Sequence, residues 1–298
     1  MAVRHSRRAR FLAALRAAGP PARHWTDLVS DPNAPVAIVH RANELHAAWR
    51  PPIEDRIGFI ESRCRGRKVL DIGCVAHDVE RMSSPAWLHG RIAAVAQRCI
   101  GVDVLPAGVE EMRRRGYEVL LHDLTTGPGP VTAVGPFDVI VAGELIEHVE
   151  GLDMLFRLAD GALTADGELV ITTPNPYAPN RVRAGQLGIV WENVDHVVYG
   201  FPSGIAELCD RHGLRLAEAA VTSDRPAVGL GQRLRSLHRL VRGTGWVDAG
   251  FATVGGTALR HVRVGPPFPL GWLQRWYLRR RPFVGETFVY VVKKRPAG

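Results

Sequence analysis

Short apolar runs alternate with amphipathic segments along the middle of the chain. Apolar runs bounded by glycine or charged residues predict buried strands over 68–72, 99–104, 118–121, 137–142 and 167–173. Apolar residues at helical spacing before and between these runs predict helices over 54–64, 86–98, 106–115, 144–149 and 153–162. Strands that alternate with helices form a parallel sheet with right-handed crossovers. The pattern therefore predicts an α/β fold with a doubly wound, mostly parallel sheet.

The pattern changes after residue 180. A loop rich in polar and aromatic residues covers 181–201, and a helix is predicted over 202–212. A strand is predicted over 214–221, and alternating aromatic and β-branched residues predict a closing strand over 286–293. Residues 224–284 interrupt this series with a basic helix, a glycine-rich stretch and a tract of aromatic residues and arginine.

We therefore divide the chain into three parts. An N-terminal helical extension covers 1–52, an α/β domain covers 53–223 together with 285–298, and an insertion covers 224–284. The insertion would serve as a lid, an interface or an element that contacts a membrane. Its tract over 268–281 suits either a packed helix with a solvated arginine face or contact with an anionic membrane surface.

Composition excludes several classes of protein. Hydrophobic residues make up 46% of the 298 residues and charged residues 23%, which excludes a disordered or fibrous chain. No apolar run approaches the roughly 18 residues of a membrane span. The four cysteines stand apart without a C-x-x-C pair, which argues against a disulfide scaffold or structural zinc site and predicts a cytoplasmic location. The net charge of +8 favours an acidic partner such as a nucleic acid, an anionic lipid or a phosphorylated substrate.

Acidic residues stand at the ends of three successive predicted strands. Asp71 comes just before Gly73 in the turn after the first strand, and Asp103 and Asp123 end the next two. Ligands of open α/β sheets bind at the carboxyl ends of the strands, where a glycine lets the backbone approach closely. Asp103 is placed to accept hydrogen bonds from ribose hydroxyls. One such aspartate is an ordinary turn residue, but three in succession predict a ligand site.

This arrangement resembles the class I S-adenosylmethionine-dependent methyltransferases over about 55–221 and in the last strand. The resemblance implies S-adenosylmethionine as cofactor and the strand order 3-2-1-4-5-7-6. It implies that Asp71 and Gly73 lie at the amino-acid end of the cofactor, that Asp103 binds the ribose, and that Asp123 and Leu124 border the adenine. The full set of cofactor-binding residues that it implies is Asp71, Gly73, Cys74, His77, Asp103, Val104, Asp123, Leu124, Gly143 and Glu144.

The glycine turn departs from the usual family pattern. Further glycines are replaced by the sequence Cys74-Val75-Ala76-His77-Asp78, so His77 or Asp78 would act at the carboxylate end of the cofactor. This variant turn, together with Trp87-Leu88-His89, is similar to a branch associated with glycan and secondary-metabolite gene clusters. A nicotinamide-dependent oxidoreductase of the same fold class would need G-x-G-x-x-G and an acidic residue about 20 positions further on, and the chain has neither.

A second motif follows the fourth predicted strand. Glu144, Glu147 and His148 share one face if the segment is helical, and His196 is a distant fourth candidate. The E-x-x-E-H pattern resembles the metal site of small-RNA 2′-O-methyltransferases and ubiquinone-pathway O-methyltransferases, which implies Mg²⁺. Two carboxylates and two imidazoles would suit Mn²⁺, Fe²⁺ or Zn²⁺ better by ligand preference. A metal would lower the pKa of an acceptor hydroxyl. Because a similar pair also occurs in metal-free methyltransferases, His148 or His196 is alternatively the catalytic general base.

The function that we expect is methyl transfer to a hydroxyl of a sugar, glycan or glycosylated secondary metabolite. Segments 173–177 and 191–199 would line the acceptor pocket or pack as a lid. The positive charge keeps an RNA 2′-O-methyltransferase or RNA-binding protein as an alternative, although no RNA-binding module is visible. The altered glycine turn keeps a non-catalytic scaffold as another. A homodimer and peripheral membrane contact complete the expected associations.

Overall fold

The computed structural model describes residues 24–75, 79–186, 192–222, 247–248, 263–264 and 285–296. Its main sheet has seven strands: β1 (Lys68–Ile72), β2 (Arg98–Asp103), β3 (Glu118–Leu121), β4 (Phe137–Gly143), β5 (Leu163–Pro174), β6 (Leu214–Thr222) and β7 (Thr287–Lys294). Their order is β3-β2-β1-β4-β5-β7-β6, and only β7 runs antiparallel to its neighbours. The predicted fold class and strand order are confirmed. A separate two-residue pair joins Val247–Asp248 to Arg263–Val264.

Helices cover both faces of the sheet. They are α1 (Pro35–Ala48), α2 (Arg56–Cys64), α3 (Leu88–Val95), α4 (Pro106–Arg114), α5 (Val131–Val134), α6 (Asp153–Ala162), α7 (Pro179–Gln186) and α8 (Pro202–Arg211). Proline occupies the first turn of α1, α4 and α8, where its missing N–H costs no helical hydrogen bond. Asp55 caps α2 by accepting a 2.9 Å hydrogen bond from the Gly58 N–H.

The core lies on both sides of the sheet because successive side chains of a strand point to opposite faces. Leu70 and Ile140 pack on one face with α6, whereas Val69 and Val139 pack on the other with α2 and α3. Parallel strands covered on both faces are continuously apolar. This burial explains why the short apolar runs predicted the strands so closely.

Residues before β1 pack against the far edge of the same sheet. Helix α1 contacts α8 and β6. The N–H groups of Arg50 and Ile53 donate to carbonyls of β6 at 2.8 and 2.9 Å, so the chain runs alongside that strand. The boundary between an extension over 1–52 and the α/β domain stays a prediction. The predicted basic helix of the insertion and its tract over 268–281 lie outside the described residues.

The predicted helix over 144–149 is wrong. The segment forms only one 3-10 turn, Ile146–His148, and Glu144 has a positive φ of 52°. The Glu144 N–H donates to the Thr172 carbonyl at 2.9 Å, which keeps residue 144 attached to the end of β5 and delays any helical turn. The helical spacing that was expected to align Glu144, Glu147 and His148 therefore does not apply. Within the described residues, no helix combines the length and apolar character that crossing a bilayer requires.

Candidate active site

Asp103 joins the ends of β1 and β2 at the carboxyl edge of the sheet. Its two carboxylate oxygens accept hydrogen bonds from the N–H groups of Val75 and Leu105 at 2.8 and 3.0 Å, and the residue is 7% exposed. A carboxylate oxygen has two lone pairs, so each keeps one for a further donor. The predicted ribose-binding residue is therefore fixed in place and still able to accept hydroxyl hydrogen bonds.

The turn after β1 requires a glycine. Gly73 is exposed and has a φ of 71°, a conformation that strains other L-residues. A Cβ atom at this position would lie 2.8 Å from Cδ1 of Leu145. The backbone of the turn is therefore exposed and could lie close to the cofactor. This fits the predicted position of Gly73 at the amino-acid end of the cofactor.

Asp71 and Cys74 point away from solvent. Oδ2 of Asp71 lies 2.9 Å from Nδ1 of His89, with both residues at most 2% exposed. The indole Nε1 of Trp87 donates to the Cys74 carbonyl at 3.1 Å. These contacts fix the turn from the protein interior. Because both side chains point inward, Asp71 and Cys74 could contact the cofactor only through backbone atoms. The predicted cofactor residue His77 lies outside the described residues.

Asp123 and its neighbours border the other end of this edge. Oδ1 of Asp123 accepts hydrogen bonds from the N–H and hydroxyl of Thr125, and these bonds hold the pKa of Asp123 below its ordinary value. Leu124 is buried at one end of a cavity of about 630 Å³ that continues towards α6. Val104 and Leu121 are 55% and 45% exposed. Their apolar surfaces, at the ends of β2 and β3, suit a flat aromatic group such as adenine.

Glu147, His148 and His196 come together after β4. One carboxylate oxygen and one nitrogen from each imidazole lie within 4.8 Å of one another, and the two rings meet edge to face with centroids 4.8 Å apart. The Val197 N–H donates to the Glu147 carbonyl at 2.8 Å, which brings the loop with His196 to this turn. Two imidazoles and a carboxylate suit divalent transition metals such as Mn²⁺.

Glu144 lies outside this group, so the structure does not bring all four predicted metal ligands together. Its Oε1 lies 3.9 Å from Nη1 of Arg56, which also donates to the Thr172 hydroxyl. Glu147 is 1% exposed, and its Oε2 accepts a 2.9 Å hydrogen bond from the Thr173 hydroxyl. Burial, and secondarily the nearby Glu144 carboxylate, raise the pKa of Glu147 to about 7. A cation beside Glu147 would relieve this cost, so the residues fit a metal.

Two carboxylates that the sequence analysis missed contact the histidines. Oδ2 of Asp195 lies 3.0 Å from Nδ1 of His148, and Oε2 of Glu192 lies 2.8 Å from Nδ1 of His196. Glu192 also accepts a hydrogen bond from Arg181 on α7. The four-residue spacing of Glu192 and His196 was the available signal, but their loop gives no periodic pattern that would reveal the contact.

Three aromatic side chains, Tyr177 after β5 and Tyr199 and Phe201 before α8, lie close to one another. Tyr177 and Phe201 are 49% and 40% exposed, with ring centroids 5.9 Å apart, and Tyr199 lies 6.4 Å from Phe201. Tyr177 and Tyr199 belong to the two segments predicted to line the acceptor pocket or pack as a lid, and Phe201 follows the second of them. Trp191, in the second segment, lies outside the described residues.

A family model described as a methyltransferase domain matches residues 11–219. The chain belongs to this methyltransferase family. The predicted class I S-adenosylmethionine-dependent methyltransferase is thereby confirmed, and the nicotinamide-dependent alternative is wrong. Methylation with S-adenosylmethionine as donor is the activity of the enzyme.

Three curated relatives align with part of this methyltransferase. A ubiquinone biosynthesis O-methyltransferase from Idiomarina loihiensis is 25% identical over 207 residues, covering 67% of this chain and 76% of that protein. A probable S-adenosylmethionine-dependent methyltransferase from Mycolicibacterium smegmatis is 29% identical over 181 residues, covering 53% and 65%. An (S)-coclaurine N-methyltransferase from Thalictrum flavum is 29% identical over 127 residues, covering 40% and 33%.

Among solved structures, a methyltransferase from Archaeoglobus fulgidus is similar with a TM-score of 0.43 and 14% identity. The likeness covers 80% of this chain and 91% of that one.

Proposed function

We propose that this methyltransferase methylates a hydroxyl group of a sugar, glycan or glycosylated secondary metabolite. The observation that carries the proposal is the pair of imidazoles, His148 and His196, beside the buried carboxyl of Glu147. An alkyl hydroxyl is a poor nucleophile at neutral pH, so its methylation needs a base or a metal close to the oxygen. These three residues after β4 could act as a base or hold a metal. They lie at the edge of the sheet where Asp103 and Gly73 would hold the cofactor.

When bound, S-adenosylmethionine supplies a methyl carbon that the acceptor oxygen attacks in line, so the O–C bond forms as the C–S bond breaks and S-adenosylhomocysteine leaves. Asp103 would accept hydrogen bonds from the ribose hydroxyls, and the open turn at Gly73 would let the backbone approach the cofactor. His148 or His196 would take the hydroxyl proton on a ring nitrogen. Holding the acceptor near these groups turns the step into an effectively unimolecular one.

A divalent ion, Mg²⁺ or Mn²⁺, is part of the proposal. Glu147, His148 and His196 would hold it, and it would lower the pKa of the acceptor hydroxyl. Without the ion, the same imidazoles act directly as general base. The O-methyltransferase named among the relatives supports an oxygen acceptor, while the N-methyltransferase makes a nitrogen acceptor the alternative.

The acceptor class is supported by aromatic side chains near this end of the sheet. Tyr177 and Phe201 offer partly exposed aromatic faces, on which a sugar ring can stack. A nucleobase could stack on the same faces, so the acceptor assay includes RNA. Contact of 268–281 with an anionic membrane, a homodimer and a cytoplasmic location remain predictions from the sequence.

The deciding experiment measures S-adenosylhomocysteine release with three acceptor sets: glycosylated metabolites, their matching aglycones, and RNA. We expect turnover with the glycosylated set only, and His148→Ala and His196→Ala should lower it by about 10²-fold or more while keeping S-adenosylhomocysteine binding. Equal turnover of the aglycones would exclude a sugar hydroxyl. Full activity of both variants would exclude the histidine roles, and turnover of RNA alone would favour the RNA alternative.

A further inference from the structure

Each of the two histidines beside Glu147 has a carboxylate at the same ring nitrogen. Asp195 lies 3.0 Å from Nδ1 of His148, and Glu192 lies 2.8 Å from Nδ1 of His196. The Glu192 contact is a hydrogen bond in the range of a charge-assisted one, whereas Asp195 forms an ion-pair contact with His148. The two carboxylates come from one loop, three residues apart, and neither is in the E-x-x-E-H motif.

These contacts determine which nitrogen carries the proton. An ionised carboxylate only accepts hydrogen bonds, so a neutral imidazole beside it must donate from Nδ1. The lone pair is then on Nε2, which is the ring atom that would accept a proton or bind a metal. The surroundings of His196 support this tautomer, because the Asn193 side-chain nitrogen, a hydrogen-bond donor, lies 3.4 Å from Nε2.

We propose that Glu192 and Asp195 are positioning residues that fix His196 and His148 as the tautomers with a basic Nε2. The inference rests on the proposed function, because it gives these residues a role only if the imidazoles act on the acceptor. It deepens that function by naming the reactive atom of each ring and the groups that select it.

Glu192 is the stronger of the two positioning residues. Its side chain is 17% exposed against 58% for that of Asp195, and exposed ion pairs contribute little because water screens them. Arg181 and the Tyr199 hydroxyl also hydrogen-bond Glu192, so its orientation is held from α7 and from the loop.

Nitrogen NMR of the full chain tests the tautomers directly. Long-range proton–nitrogen spectra are recorded with ¹⁵N-labelled histidine, with S-adenosylhomocysteine and a chelator present, and the two rings are assigned with His148→Ala and His196→Ala. We expect Nδ1 protonated and Nε2 unprotonated in both rings. In Glu192→Ala, the Nε2 resonance of His196 should move towards the protonated range. In Glu192→Gln, which keeps an acceptor oxygen, the wild-type pattern should return.

Asp195→Ala and Asp195→Asn form the matched pair for His148, with a smaller shift expected. Calorimetric binding of S-adenosylhomocysteine at wild-type affinity shows that each variant is folded. Protonated Nε2 in the wild type, or an unchanged His196 spectrum in Glu192→Ala, would overturn the inference. Failure of the proposed function has a different signature, because it appears as full activity of the histidine variants whatever their tautomers.

Discussion

Nδ1 of His89 lies 2.9 Å from Oδ2 of Asp71, and the pair is buried beneath the turn after β1. A glycine on β2 makes room for it: a Cβ atom at Gly101 would lie 3.1 Å from Cε1 of His89 and 2.6 Å from Sγ of Cys74. The Trp87 indole, which holds the Cys74 carbonyl, packs against the same imidazole with ring centroids 5.4 Å apart.

Replacing His89 should therefore destabilise the protein and loosen the turn. His89→Ala leaves the Asp71 carboxylate buried without this partner, which should lower the free energy of unfolding by about 3 kcal/mol. Urea unfolding followed by circular dichroism measures the loss. His46→Ala, on the exposed side of α1, is the control and should change little. An equal effect of the two substitutions would show that the Asp71 contact is not stabilising.

Asp103→Ala should weaken cofactor binding. The substitution removes the acceptor predicted for the ribose hydroxyls and also the hydrogen bonds from the Val75 and Leu105 N–H groups. Ribose hydroxyls that lose their acceptor in a buried site cost about 1–3 kcal/mol of binding free energy. The affinity for S-adenosylhomocysteine should therefore fall about tenfold or more. Isothermal titration calorimetry measures it. Glu118→Ala, at the opposite end of β3, should bind normally. Normal binding by Asp103→Ala would remove the ribose assignment.

The strands could be predicted from the sequence because their burial leaves a simple pattern. Residues 68–72 form a strand with the predicted bounds, since an apolar run covered on both faces has little ambiguity. Residues 118–121 also form a strand with the predicted bounds, at the partly exposed edge of the sheet. The segment after β4 could not be predicted in this way. Glu144 does not begin a helix because its N–H donates a hydrogen bond to the carbonyl of Thr172, a residue 28 positions away.

The candidate site shows the same division. Asp103 was placed correctly at a strand end, because parallel strands bring their carboxyl ends to one edge. Glu192 and Asp195 were missed, since their meeting with the histidines depends on how the loop after α7 folds back onto Glu147. The inward orientation of Asp71 was missed too, because the partner, His89, lies 18 positions along the chain in another element.

Glu207 should make stability depend on acid pH. Its carboxylate on α8 accepts hydrogen bonds from Trp25 at 3.0 Å, Arg41 at 2.7 Å and Arg211 at 2.9 Å. Burial opposes its ionisation, but these bonds, with His24, lower the pKa of Glu207 from 4.5 to about 2. A lowered pKa in the folded state stabilises the protein above the unfolded value, and this contribution is lost as the pH falls from 4.5 towards 2.

Glu207→Gln should accordingly be less stable than the wild type at pH 7, by about 1 kcal/mol because the side chain is partly solvated. The difference should shrink as the pH is lowered from 5 to about 2. Urea unfolding of both proteins across this range measures it, with Glu110→Gln on the exposed side of α4 as control. A difference that stays constant with pH would show that the charge of Glu207 is not what binds the N-terminal residues to α8.

Metal binding should depend on three of the four predicted ligands. Glu147, His148 and His196 offer ligand atoms within 4.8 Å of one another, whereas Glu144 has Arg56 beside it at 3.9 Å. We expect Mn²⁺ to bind the chelator-treated full chain at one site, as measured by calorimetry. Mutating a residue that only hydrogen-bonds a metal ligand typically lowers metal affinity about 10–100-fold, and removing a ligand itself should lower it at least as much. Glu147→Gln, His148→Ala and His196→Ala should therefore each lower the Mn²⁺ affinity about tenfold or more.

Glu144→Gln is the matched control for this prediction. It has the same carboxylate-to-amide change as Glu147→Gln, in the same turn, and should leave the Mn²⁺ affinity close to that of the wild type. S-adenosylhomocysteine binding should persist in Glu147→Gln, His148→Ala and His196→Ala, which separates loss of metal from loss of fold. If Glu144→Gln abolished binding while His196→Ala did not, the site would be centred nearer β5 than the imidazole pair. If the wild-type chain bound no Mn²⁺, the imidazoles would act as general bases without a metal.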